Sequence, residues 1–171
     1  MIHIYSGDGK GKTTAAVGLA LRGAGAGMRV SFFQFLKDGS SSEIGLLKSV
    51  KRISVTCCRE CGKFVFQMTE KEKAAVTASH NEMLEKIKKA VKDGGADMII
   101  LDEFFGAYSE GMLDRSAAEE IVLNCPDSIE LVLTGRDPAS IFCQRADYHS
   151  EIRSLRHPYD KGIKARKGIE Y

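Results

Sequence analysis

At 171 residues, 43% hydrophobic and 28% charged, the chain is long enough for one domain with a substantial core and has an ordinary globular composition. Its 25 basic and 23 acidic side chains leave a formal net charge of +2, too even to argue for a nucleic-acid or membrane partner. No apolar run reaches the ~20 residues that cross a bilayer, and Met1 to Ser6 has no leader-like basic and apolar pattern, so the cytoplasm is the expected location.

Met1 to Ser6 reads as a short strand that ends at a glycine cluster. Lys12 to about Ala24 is rich in Thr, Ala, Val and Leu and suits a helix packed closely on a sheet, with Gly25 and Gly27 ending it. Arg29 to Phe35 reads as a second strand and Lys51 to Thr56 as a shorter third. Thr69 to about Lys92 is the clearest helix. Thr69 and Glu72 make a capping-box pattern, and Val76, His80, Met83, Leu84, Ile87 and Val91 share one face. Gly94 and Gly95 follow it. Ala96 to Leu101 is a continuous apolar run, as expected of a central strand buried on both faces. Asp114 or Ser116 can cap a helix to about Asn124, Ile129 to Thr134 is a further buried strand, Pro138 to Arg145 a short helix, and Ala146 to Ile152 a last strand. The tail from Arg156 to Tyr171 is basic and glycine-punctuated. Alternating strands and helices predict one α/β domain over residues 1–171, a three-layer, doubly wound, mainly parallel sheet of the phosphate-loop NTPase type. In such sheets ligands sit at the carboxyl ends of the strands.

The first strand runs into Gly7-Asp8-Gly9-Lys10-Gly11-Lys12-Thr13-Thr14, and a helix follows. The pattern G-x-x-x-x-G-K-[ST] is met in its second half by Gly11-Lys12-Thr13, while Ser6 stands where the first glycine belongs. Gly7 and Gly9 are expected to supply the backbone freedom instead. Inward-turned amides and a helix N-terminus attract phosphate, Lys12 can bridge phosphates, and the Thr13 hydroxyl can ligate Mg2+. Lys10 adds further positive charge. Asp102 and Glu103 close the apolar strand. Hard Mg2+ prefers carboxylate oxygens together with substrate phosphates, one carboxylate binding directly and the other through water.

Other signals leave alternatives open. Cys58 and Cys61 form a lone CxxC beside Cys57, compatible with a metal, a redox role or incidental loop cysteines. With Cys125 and Cys143 the chain has five cysteines, which does not suggest a disulfide framework. Phe64 and Phe66 either pack under a loop or face a ligand. Arg136 follows a buried strand and either holds an anionic ligand or makes a surface ion pair. His3 and His80 read as packing or surface residues.

Taken together, GDGKGKTTAA at Gly7 to Ala16, QFLK at Gln34 to Lys37, ILDE at Ile100 to Glu103, LTGR at Leu133 to Arg136, and the ending from Arg156-His157-Pro158-Tyr159-Asp160-Lys161-Gly162 to Ile169-Glu170-Tyr171 resemble the phosphate-loop type of ATP:corrinoid adenosyltransferase. The pieces follow the family's order and cover nearly the whole chain. The resemblance implies transfer of the 5′-deoxyadenosyl group of ATP to cobalt(I) of a reduced corrinoid, with release of triphosphate. It implies that Gly7 to Thr14 cradle the triphosphate, that Lys12 neutralises it, and that Thr13 and Glu103 ligate Mg2+ with Asp102 supporting. It implies that Phe64 and Phe66 form the aromatic pair against the lower corrin face. An electron-donating reductase and a homodimer are the implied partners. The second aromatic is Phe where some members have Trp, the CCREC stretch is foreign to the pattern, and the N-terminal covering segment of some members is lacking, so any lid must come from elsewhere. A phosphate-loop kinase or ATPase and a non-catalytic nucleotide switch are the alternatives.

Overall fold

Six strands, β1 (Ile2–Ser6), β2 (Val30–Gln34), β3 (Ile53–Cys57), β4 (Met98–Asp102), β5 (Glu130–Gly135) and β6 (Tyr148–Glu151), form one sheet in the order β3-β2-β4-β5-β1-β6. The computed structural model describes residues Met1–Tyr171. Every neighbouring pair is parallel, so the expected mainly parallel sheet is parallel throughout. The helices are α1 (Lys12–Gly25), α2 (Ser42–Ser49), α3 (Glu70–Lys92), α4 (Phe104–Ser109), α5 (Arg115–Leu123) and α6 (Ser140–Arg145).

The period-two alternation of strand side chains divides the core into two layers. Val30, Phe32, Met98, Ile100 and Val132 face one way and pack with Ala16 and Ala20 of α1 and Ile44 and Leu47 of α2. Phe33, Phe35, Ile99, Leu101, Leu131 and Leu133 face the other way and pack with α3, α4, α5 and Phe142 of α6. Small residues bring α1 close to the sheet; a Cβ on Gly23 would meet Met98 Cε at 3.0 Å. The α3 face buries Val76, His80, Met83, Leu84 and Ile87. Each aliphatic side chain there contributes about 1.5–3 kcal/mol over an exposed one. The capping box forms as the sequence predicts: Glu72 N–H donates to Thr69 Oγ1 at 3.3 Å, and Thr69 N–H donates to Glu72 Oε2 at 2.8 Å.

The predicted elements match within a few residues at their ends, and several details differ. Gly25 is the last residue of α1, and Gly27 takes the positive φ of 93° beyond it. Asp114, not Ser116, caps α5. The helices α2 and α4, and a 3-10 turn over Val65–Gln67, were not predicted. Cys58 and Cys61 are joined by a disulfide, and both are buried.

Candidate active site

The site is built at the carboxyl edge, where β1 leads through the loop into α1. The register sets Gln34 beside Asp102 and, on the other flank, Cys57. Asp102 and Thr134 follow the paired Leu101 and Leu133. Gln34, Asp102 and Thr134 therefore stand in one row at the top of the face that α1 covers, and each is fully buried.

Strand β5 lies between β1 and β4, so the loop and the acidic strand do not share a hydrogen-bonded ladder. Side chains join them. Thr13 Oγ1 donates to Asp102 Oδ1 at 2.8 Å, and Thr134 Oγ1 donates to the same oxygen at 2.8 Å. Gln34 Nε2 donates to Asp102 Oδ2 at 3.1 Å. Thr134 Oγ1 also accepts from Glu103 N–H at 3.0 Å. Because Thr13 gives its one hydroxyl proton to Asp102, its lone pairs face a donor or cation, and Lys37 Nζ stands 3.4 Å away.

The strand stops at Asp102. Glu103 takes a left-handed backbone, φ 58°, and opens α4, which turns its carboxylate away from the buried row. The two carboxylates thus differ, one sunk among hydroxyl and amide donors and one partly exposed, and they do so because the strand ends, not because it continues. Lys37 lies beside both, its Nζ 3.4 Å from Asp102 Oδ2 and 3.3 Å from Glu103 Oε1. Burial pulls the Lys37 pKa down, but the two carboxylates outweigh it and hold the ammonium above the ordinary lysine value.

Within the loop the glycines divide their work. A Cβ on Gly7 would fall 2.3 Å from Ile152 O, and one on Gly9 would fall 2.7 Å from the same oxygen. Gly9 N–H donates to Ile152 O at 2.8 Å. The bare backbones of Gly7 and Gly9 therefore admit the chain leaving β6, a role different from the phosphate-facing freedom expected of them. Gly11, φ 123°, has open space where a Cβ would be. Asp8, expected among the nucleotide-binding residues, turns to the same segment and accepts from Ser154 N–H at 3.0 Å. That amide, with help from Arg136 and Lys12, keeps the Asp8 carboxyl below its usual range. Lys12 Nζ donates to Gly9 O at 2.8 Å and so lies folded across the loop. Burial lowers its pKa, Glu103 opposes that, and Arg136 adds to it. Lys10, Thr14 and Arg136 are exposed at the rim.

The segment from Cys58 to Thr69 follows the carboxyl end of β3 and so shares the loop's edge of the sheet. Phe64 and Phe66 are 70% and 82% exposed, their rings stacked 5.6 Å apart. They do not pack under the loop. His80, on α3, is fully buried. Its Nδ1–H donates to Met112 O at 2.8 Å, and its Nε2 accepts from Leu36 N–H at 3.2 Å, which fixes the neutral tautomer. Both ring nitrogens are thereby used, although Nε2 also lies 3.6 Å from Cys61 Sγ. The tail leaves β6 past the loop and ends with Tyr171 O accepting from Ser42 Oγ at 2.9 Å, at the start of α2. It is thus anchored at both ends, on the loop through Ile152 and Ser154 and on the start of α2 through Tyr171.

Residues 1–171 match the family described as ATP:corrinoid adenosyltransferase BtuR/CobO/CobP. The chain belongs to that family. It is 31% identical to the corrinoid adenosyltransferase of Escherichia coli strain K12, an alignment covering 100% of this chain and 85% of that protein. It is 33% identical to the corrinoid adenosyltransferase CobA of Salmonella typhimurium strain LT2, with the same coverage of 100% and 85%. Among solved structures, the KaiC-like protein PH0186 of Pyrococcus horikoshii OT3 superposes with a TM-score of 0.55 at 14% identity, covering 91% of this chain and 73% of that one. EssC (ATPases 2 and 3) of Geobacillus thermodenitrificans gives 0.52 at 15%, covering 99% of this chain and 36% of that one. These likenesses establish the α/β phosphate-loop fold of the chain. No helix is long and apolar enough to cross a membrane.

Three residues of this site carry no role in the sequence reading: Gln34, Lys37 and Thr134. Two of the quoted motifs, QFLK and LTGR, contain all three, so the signal was present without the geometry that gives it meaning.

Proposed function

We propose that the chain transfers the 5′-deoxyadenosyl group of ATP to cobalt(I) of a reduced corrinoid and releases intact triphosphate. Cobalt(I), part of the substrate, supplies the electron pair. The Co–C5′ bond forms as the C5′–O bond breaks, and that bond's electrons leave on the triphosphate. No proton needs to be abstracted, so the protein's tasks are alignment and stabilisation of the leaving group. The observation that carries this reading is the cationic loop set against a buried carboxylate, in a chain that belongs to the family over its full length.

Gly11, Lys12, Thr13 and Thr14 receive the triphosphate at the N-terminus of α1, with Lys12 leaving Gly9 O to meet it. Gly7, Asp8 and Gly9 shape the loop against the tail, and Lys10 and Arg136 line the rim. Mg2+ fits the hard oxygens present. Thr13 Oγ1 and Glu103 would hold it directly, and Asp102 would act through the Thr13 hydroxyl. When bound, the ion neutralises charge on the leaving triphosphate. Phe64 and Phe66, exposed and stacked, offer an apolar platform to the lower face of the corrin. A separate electron-donating reductase keeps cobalt reduced, and the protein works as a homodimer. The corrinoid is cobalamin or its precursor cobyrinic acid a,c-diamide.

Incubation with ATP, Mg2+ and chemically reduced cob(I)alamin without oxygen tests this. The visible spectrum of an adenosylated corrinoid, with triphosphate as the phosphate product, is expected, and Lys12→Ala should abolish both. ADP and phosphate with no change in the corrinoid spectrum would instead favour a kinase or ATPase.

A further inference from the structure

The two oxygens proposed to hold Mg2+ directly, and the Asp102 carboxylate that supports them, already share one cation. Lys37 Nζ lies 3.4 Å from Thr13 Oγ1, 3.4 Å from Asp102 Oδ2 and 3.3 Å from Glu103 Oε1. We propose that Lys37 is a resident counter-cation of this oxygen cage, and that metal-bound ATP displaces its ammonium from the cage onto the triphosphate. The inference rests on the proposed metal site and deepens it.

Charge requires an occupant. Asp102 is fully buried, and its other partners, Thr13, Thr134 and Gln34, are neutral donors. A second carboxylate, Glu103, follows it in the chain. A buried carboxylate with no opposing charge is strongly unfavourable, and Lys37 is the cation that stands beside both. Its contacts are nonetheless those of an ion that can leave. All three exceed the 2.7–2.9 Å of a tight charge-assisted hydrogen bond. The side chain is 32% exposed, on a flexible four-carbon stem.

The backbone beneath it is held. Leu36 has a left-handed φ of 53°, and its N–H is fixed on His80 Nε2. Motion is therefore left to the lysine side chain alone. A divalent ion and an ammonium cannot both sit among the same three oxygens. When nucleotide brings both metal and phosphate, the displaced ammonium exchanges carboxylate for phosphate close by. Without nucleotide it has nowhere equally favourable to go, so free metal binds poorly.

Mn2+ titrations followed by electron paramagnetic resonance, with and without ATP and with no corrinoid present, test this. Lys37→Met should tighten Mn2+ binding to the nucleotide-free protein by about tenfold or more, since a competing charge has gone. Lys37→Arg, which keeps a cation at the cage, should bind free Mn2+ as weakly as the unaltered protein, and it guards against a folding defect in the methionine variant. In a separate assay that adds reduced corrinoid to the ATP-loaded protein, adenosyl transfer should fall in Lys37→Met even where Mn2+ saturates. If nucleotide-free Lys37→Met binds Mn2+ no better than the unaltered protein, while Glu103→Gln weakens Mn2+ binding to the ATP-loaded protein, the counter-cation role is wrong and the metal site stands. If Glu103→Gln leaves Mn2+ binding with ATP unchanged, the metal site itself is misplaced and the lysine inference falls with it.

Discussion

The hydroxyl of Thr134 donates to Asp102 Oδ1 and accepts from Glu103 N–H, so one buried atom spaces the two carboxylate residues. Thr134→Val keeps the shape, strands the Glu103 N–H and removes one of the two hydroxyl donors from Asp102 Oδ1. We expect a loss of about 1–3 kcal/mol in urea denaturation, and a matching loss with Thr134→Ser would point to packing rather than the hydroxyl. Gly9 tells a different story at the same scale. Its Cβ would meet backbone atoms of Ile152 and Arg153 at 2.7–2.9 Å, and backbone cannot swing aside. Gly9→Ala should therefore lower the melting temperature and weaken ATP binding together. An unchanged melting temperature would show that the tail does not press on the loop. Three non-glycine residues with positive φ, Leu36, Glu103 and Asp137, each lie just beyond the carboxyl end of a strand. Such conformations persist only where surroundings impose them, and these adjoin Lys37, the acidic row and Arg136.

At the scale of elements, long periodic segments were readable and short ones were not. Helix α3 declares itself by its capping box and apolar face, and the apolar runs ending at Leu101 and Thr134 declare the buried strands β4 and β5. Helix α4 hides because FFGAYS carries two aromatics and a glycine, and it begins on a left-handed glutamate that no pattern announces. Helix α2 buries only Ile44 and Leu47, too few positions to establish a period. His80 was read as a packing or surface residue, and the fold makes it a buried clamp between α3, Leu36 and the Met112 carbonyl. Burial keeps its pKa below the ordinary 6.5. Below that pH the unfolded chain takes up a proton that the folded chain resists, so stability should decline as pH falls from about 6.5. Urea midpoints from pH 8 to about pH 5 should show this slope, and His80→Gln should flatten it. An equal slope in the variant would assign it to other groups.

For the molecule as a whole, the sequence predicts a parallel α/β sheet and its phosphate loop but is silent on strand order. Nothing local to IELVLT says that β5 inserts between β1 and β4, yet that insertion brings Thr134 to Asp102. The same silence explains why Lys12, Thr13 and the acidic pair were recognised from their own motifs, while Lys37 gained a role only when the sheet set β2 beside β4. The order also sets a clock. Of the six strands, β1 comes first in the sequence and has as its neighbours the two latest, β5 and β6, and its loop is backed by residues 152 to 154. Contacts so distant in sequence form slowly. A chain stopped after Ser128 should expose Ile2 and Ile4, aggregate, and show no nucleotide-dependent change in fluorescence of a labelled ATP analogue; binding at full-length affinity would refute this. On the ribosome, the glycine loop is made ahead of β2 to β6 and has to wait for β5 and β6 before it gains its final support. By then β2 and β4, with Lys37 and Asp102, have already been synthesised. A nascent chain is therefore expected to take up nucleotide only after both halves of its site have been made.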